Sequence, residues 1–151
     1  MIFSVAKQLF AKVKTEELRF LPYLCGMAKA PELQQIALDK YEQGDIEGAI
    51  RDLSEVITAQ PNNATALYNR AIIWAELDAH ERARPDLDAA IALLPGNADL
   101  YHARAVSLRA SQDFKGAVAD LDQAITLLPH DPDNYLLRGN CKADLGNKSG
   151  A

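Results

Sequence analysis

The stretch DLDAAIALLP at residues 86–95 returns 34 residues later as DLDQAITLLP at 120–129. The same interval relates other positions. Ala49, Ala83 and Ala117 form one column, Asp52, Asp86 and Asp120 a second, Leu53, Leu87 and Leu121 a third, and Pro61, Pro95 and Pro129 a fourth. Arg70, Arg104 and Arg138 form another, each followed by a small residue, Ala71, Ala105 and Gly139. This many columns at one period mark an internal repeat whose units bury their apolar faces only by stacking on one another.

Each period reads as two helices. Leu67, Ala71, Trp74 and Leu77 recur at helical spacing, and so do Ala117, Leu121, Ala124, Ile125 and Leu128. Turns are expected at Gly44-Asp45, Leu77-Asp78, Gln112-Asp113 and Gly146-Asn147, with Asp45, Asp113 and Asn147 as N-caps, because their side-chain oxygens accept orphan backbone N–H groups. The periodic prolines stop each second helix. Pro85 falls inside one of those second helices, where its ring removes a donor, so that helix is expected to start late, near Arg84, or to bend. The fold class is all-α, built from stacked helical hairpins.

Composition narrows the function classes. The 151 residues are 48% hydrophobic, enough for a core, and carry 16 Lys+Arg against 21 Asp+Glu, a net charge of −5. That balance argues against nucleic acid as a partner. Cys25 and Cys141 are too far apart for a zinc or redox motif, and their scarcity fits a reducing, cytoplasmic setting. His80, His102 and His130 are scattered, and no nucleophile elbow, Walker or dinucleotide glycine pattern is present. The reading is a non-enzyme with no cofactor and no metal, and Cys141 is expected to be an inert thiol.

The small residues Ala37, Ala71, Ala105 and Gly139, the columns Ala49/Ala83/Ala117, Leu53/Leu87/Leu121 and Val56/Ala90/Ala124, and the prolines resemble the tetratricopeptide repeat family. The resemblance implies a right-handed superhelical solenoid and a protein–protein interaction scaffold. Repeats are expected at 30–63, 64–97 and 98–131, with a partial fourth at 132–151 made of a first helix, roughly 133–145, and a turn. Residues 1–29 fall outside the period. Ile2, Phe3, Ala6, Leu9, Phe10 and Val13 line one helical face there, which fits a capping helix, a membrane-surface helix over residues 1–20, or an organellar targeting segment. Pro22 is expected to end or kink that helix before a short segment leads to Pro31. The last helix reads either as a terminal cap or, as the hairpin-like residues 146–151 favour, as the point where a longer repeat array is cut. The second option leaves a structural segment of such an array, or self-association through the open end, as the alternative function.

Two side-chain constellations stand out. The Arg and Asp columns are expected to clip neighbouring repeats together through Asp52–Arg70, Asp86–Arg104 and Asp120–Arg138. In a stacked solenoid the first helices line the concave side, which places Gln34, Leu38, Tyr41, Tyr68, Asn69, Ile72, Glu76, Asp99, His102, Val106, Arg109, Leu136, Leu137 and Asn140 in a peptide-binding groove. Leu38, Ile72 and Val106 read equally as packing residues. The family's two-carboxylate clamp, which grasps acidic chaperone tails, would occupy Gln34, Leu38, Asn69, Asp99 and Ala103 here, and only Asn69 agrees. A neutral-to-basic, partly apolar peptide or helix is therefore the expected ligand.

Overall fold

The structure is a computed structural model that describes residues 21–149, with side-chain surroundings for residues 29–148. The proposed N-terminal helical segment lies mostly outside the described residues. Seven helices run in chain order: α1 Leu21–Glu42, α2 Ile46–Ala59, α3 Ala64–Glu76, α4 His80–Leu93, α5 Ala98–Ala110, α6 Phe114–Leu127 and α7 Pro132–Ser149. They pair as the hairpins α1–α2, α3–α4 and α5–α6. Successive hairpins join through α2–α3, α4–α5 and α6–α7, and α3 also touches α5. No strand occurs among the described residues.

The repeated columns form the core. Ala37, Ala71 and Ala105 on the first helices and Ala49, Ala83 and Ala117 on the second are all fully buried, so two backbones approach without a side chain between them. Leu53, Leu87 and Leu121 fill the spaces beside them. Each fully buried leucine contributes roughly 1.5–3 kcal/mol of apolar transfer. Gly139, the fourth member of the small column, is exposed and has open space where a Cβ would stand. Cys141 on the same helix is buried against Ala105, Leu108, Ala117 and Leu121, and burial pushes its thiol pKa up.

Turn chemistry follows the same period. Gly44, Asp78 and Gln112 occupy equivalent turn positions with φ of 85°, 58° and 61°. This left-handed conformation favours glycine, and two of the three sites accept it with other residues. Asp45 and Asp113 cap α2 and α6 by accepting from the N–H of Gly48 and Gly116 at 2.9 and 3.0 Å. Asn63 and Asn97 cap α3 and α5 in the same way.

Two expectations fail, and one of the two alternatives at Pro85 falls as well. The Gly146-Asn147 turn does not form, because α7 continues through both residues to Ser149. Lys148 instead stacks over Phe114 at 5.6 Å and donates to the Gln112 carbonyl at 3.5 Å. The helix α4 starts at His80, not near Arg84, and takes Pro85 into its interior. Arg82 and Ala83 already donate to the Ala79 carbonyl at 2.9 and 3.2 Å. Ala83 is fully buried in a cluster with Ala71, Leu87 and Ala103, and that packing outweighs the bond Pro85 cannot make. The short segment expected before Pro31 is helix as well, since α1 runs through that proline.

Candidate functional site

The Arg column builds the frame that holds the first helices in place. Arg70 donates through Nε and Nη2 to the two Asp86 oxygens at 2.8 and 2.7 Å, and Arg104 holds Asp120 the same way at 2.7 Å on both arms. These bidentate pairs lie within one hairpin, not between successive ones, which corrects the sequence-based pairing. The third arm of each arginine reaches back to the preceding hairpin: Arg70 to Ser54 Oγ at 2.9 Å, Arg104 to Asp88 at 2.7 Å and Arg138 to Asp122 at 2.6 Å. The inter-repeat clip is therefore real, with Ser54, Asp88 and Asp122 as its acceptors. Asp52, left without an arginine, takes Lys40 at 2.5 Å. The hydrogen bonds from Arg104 to Asp120, and secondarily to Asp88, outweigh its partial desolvation and raise its pKa further.

On the face where α3 meets α5, Tyr68, Ile72, Ala75, Glu76, His102, Ala103 and Val106 line a cavity of about 260 Å³. A second cavity of about 280 Å³ opens on the other side of Val106, lined by His80, Arg109, Ala110, Phe114, Leu137 and Asp144. Tyr68, Ile72, Glu76, His102 and Val106 from the expected set thus share one recess, and Arg109 and Leu137 join Val106 at the next. Leu38, Asn69, Leu136 and Asn140 line neither. Leu38 and Asn69 are half-buried, Asn140 is exposed, and Leu136 is 66% exposed. Tyr41 packs against the first hairpin's core and donates its hydroxyl to the Glu76 carboxylate on α3. That bond, then burial, then the Glu76 charge raise the Tyr41 pKa above its ordinary 10.0. Tyr68 is raised as well, by burial first and the Asp99 charge second. His102 Nδ1 lies 2.7 Å from Asn134 Oδ1, and Asn134 Nδ2 donates to Asp131 at 2.9 Å. Because that second bond fixes the amide orientation, His102 is the donor at Nδ1.

The family model "Tetratricopeptide repeat" matches residues 35–98. Over residues 35–98 the chain is thus similar to tetratricopeptide repeats. The first such domain of Spaghetti (RPAP3), bound to the HSP90 peptide SRMEEVD, superposes with a TM-score of 0.76 at 23% identity, over 80% of this chain and 95% of that one. The Arabidopsis OM64 tetratricopeptide domain gives 0.74 at 22% identity, over 78% and 98%. MamA gives 0.76 at 24% identity, over 80% and 66%. A comparison with curated protein sequences returns no match.

Within this frame of helical hairpins, several residues of the candidate site escape a sequence reading. The column Ser54, Asp88 and Asp122 keeps the 34-residue spacing, but its members differ in type, so it does not announce itself. His80 and Phe114 come from second helices, which a groove built of first helices omits. Among the described residues no group of three His, Cys, Asp or Glu is placed to hold a metal ion, and no helix is long and apolar enough to cross a membrane.

Proposed function

We propose that this chain is a protein-interaction scaffold that captures a neutral-to-basic, partly apolar peptide or helix on the face formed by α1, α3, α5 and α7. The observation that carries the reading is the pair of recesses flanking Val106, both lined largely by apolar side chains. Isolated exposed leucines need no explanation, but recesses at successive helix junctions offer the alternate pockets that peptide recognition uses. Three neighbouring structures hold or concern HSP90 or HSP70 peptides. An acidic tail does not suit this surface. Glu76 lines the first recess, Asp99 lies close enough to raise the Tyr68 pKa, and Arg109 is committed to Asp144 at 2.8 Å. The reading stays that of a binding protein, with no catalytic role assigned to any residue.

The test is affinity capture with the intact chain beside its Ile72→Glu variant, together with a titration of the SRMEEVD peptide. Partners retained by the first and lost by the second are expected, with no saturable binding of the acidic peptide. Identical partner sets for both proteins would move the binding surface elsewhere. Assembly through α7 is the second reading, favoured by the exposed Tyr135 and Leu136 and by the open space at Gly139. It predicts a sedimentation coefficient that rises with concentration and falls back in a Leu136→Glu variant.

A further inference from the structure

Polar latches close some junctions between successive first helices and not others. Tyr41 on α1 reaches Glu76 on α3, and Arg109 on α5 reaches Asp144 on α7, both across 35 residues of sequence. The equivalent positions at the middle junction, α3 to α5, are Ala75 and Ala110. Neither has a side chain long enough to cross. Ala75 lines the first recess, so the missing latch and the α3–α5 opening coincide, whereas the second recess, which Ala110 lines, has the latch pair Arg109 and Asp144 in its own wall. Val106, 37% exposed, stands as the wall between the two recesses.

Charge is distributed unevenly over the pair. The first recess has the Glu76 carboxylate on its rim, where it accepts from the Tyr41 hydroxyl, and Asp99 acts on Tyr68 from nearby. No Lys or Arg lines it. The second recess is mixed: Asp144 is neutralised by Arg109, and Lys148 lies over Phe114. Each recess, at about 260 and 280 Å³, holds far more than one water at about 30 Å³ and admits a large side chain.

Resting on the groove reading above, we infer that the two recesses take two apolar side chains of one peptide, with a Lys or Arg of that peptide beside the anchor in the α3–α5 recess. Adjacent packed helices stand about 8–10 Å apart, which sets the separation of the anchors. Seven residues of helix span about 10.5 Å and three of extended chain about 10 Å, so the motif is two large apolar residues seven or three apart with a basic neighbour to one of them. Fixed positive charge meets Glu76 there, with Asp99 adding to the field around Tyr68, whereas an acidic neighbour would face the Glu76 carboxylate with no Lys or Arg in the lining.

The test is selection from a displayed library of random peptides on the full chain, followed by affinity measurement of the enriched sequences against variants. Enrichment of the spaced apolar pair with an adjacent Lys or Arg is expected. Glu76→Gln should weaken those peptides about threefold and flatten their salt dependence, and Val106→Glu should weaken them at least tenfold. Val106 is partly exposed, so this variant is expected to keep its helical circular dichroism, which is checked first. Enriched peptides that need Val106 but carry one anchor, or acidic neighbours, would overturn this inference and leave the groove reading standing. Peptides bound equally by the wild-type and Val106→Glu proteins, or no enrichment at all, would overturn both.

Discussion

Two faces of the same solenoid treat the repeat differently. On the frame, the contact from an arginine to its own hairpin's aspartate is made identically by Arg70–Asp86 and Arg104–Asp120, and the backward arm recurs three times. On the groove face, the junction between first helices changes at every step: phenol to carboxylate, then two alanines, then guanidinium to carboxylate. The frame must match from unit to unit because each repeat is held by its neighbours. The groove face is free of that demand and varies from step to step: the unlatched α3–α5 junction opens into one recess, and the latched α5–α7 junction carries the other with Arg109 and Asp144 in its wall.

Breaking the frame should have the largest effect. Arg104→Ala leaves Asp120, only 7% exposed, without its bidentate partner. The expected cost is about 2–4 kcal/mol, somewhat below a fully buried pair because Arg104 itself keeps some solvent access. Urea unfolding monitored by circular dichroism measures it. The equivalent Arg138→Ala removes the pair with the half-exposed Asp122 and the contact over the exposed Tyr135 ring, but no bidentate partner, and should cost about 1 kcal/mol or less. Equal losses at the two positions would mean that the bidentate arm contributes nothing special.

Closing the middle junction should act on binding instead of stability. Ala75→Tyr combined with Ala110→Glu copies the Tyr41–Glu76 latch onto α3 and α5 and fills the entrances to both recesses. Affinity for a selected peptide is expected to fall about tenfold, or about 1.4 kcal/mol, with the unfolding midpoint unchanged or slightly raised. Retained affinity would show that the open junction is not what admits the ligand.

The native latch has its own signature in alkaline solution. Because the Tyr41 phenol is raised above 10.0 by its bond to Glu76, the folded chain keeps a proton that the unfolded chain loses near pH 10. The bond's stabilisation is present below that pH and disappears as the pH rises through the folded value. Tyr41→Phe is expected to lower stability at pH 8 and to make its fall above pH 10 shallower. A curve parallel to that of the wild-type protein would remove the latch from the account.

The smallest effect is a gain. Gly139→Ala places a methyl in open space within α7 and should stabilise the helix by about 0.5–1 kcal/mol. A loss of stability would mean that this face is covered in solution.

The all-α hairpin fold was legible in the sequence because packing writes itself at fixed spacing. Ala49, Ala83 and Ala117 are small for one reason, the close approach of two helices, and that reason repeats with the backbone. The arginine pairing was legible as residues but not as partners: Arg70–Asp86 and Asp52–Arg70 use the same columns, and only the geometry of the hairpin chooses between them. Pro85 and Gly146 misled for a related reason. Local preference spoke against helix at both, but Ala83 had a core to enter and α7 continues through Gly146 to Ser149. That Tyr68, Ile72, His102 and Val106 share one face was readable from register alone. The contribution of Ala75 and Ala110 was not, because an alanine that leaves a gap looks in sequence like an alanine that fills one.

The central claim is that the unlatched α3–α5 junction admits the ligand, and methyl-resolved NMR of the chain with a selected peptide tests it most directly. The Ile72 and Val106 methyls should shift first and furthest as peptide is added, with Ala75 and Ala103 following and Leu53, Leu87 and Leu121 of the buried frame unmoved. Shifts centred on Leu38 or Leu136, with Ile72 and Val106 unchanged, would contradict it.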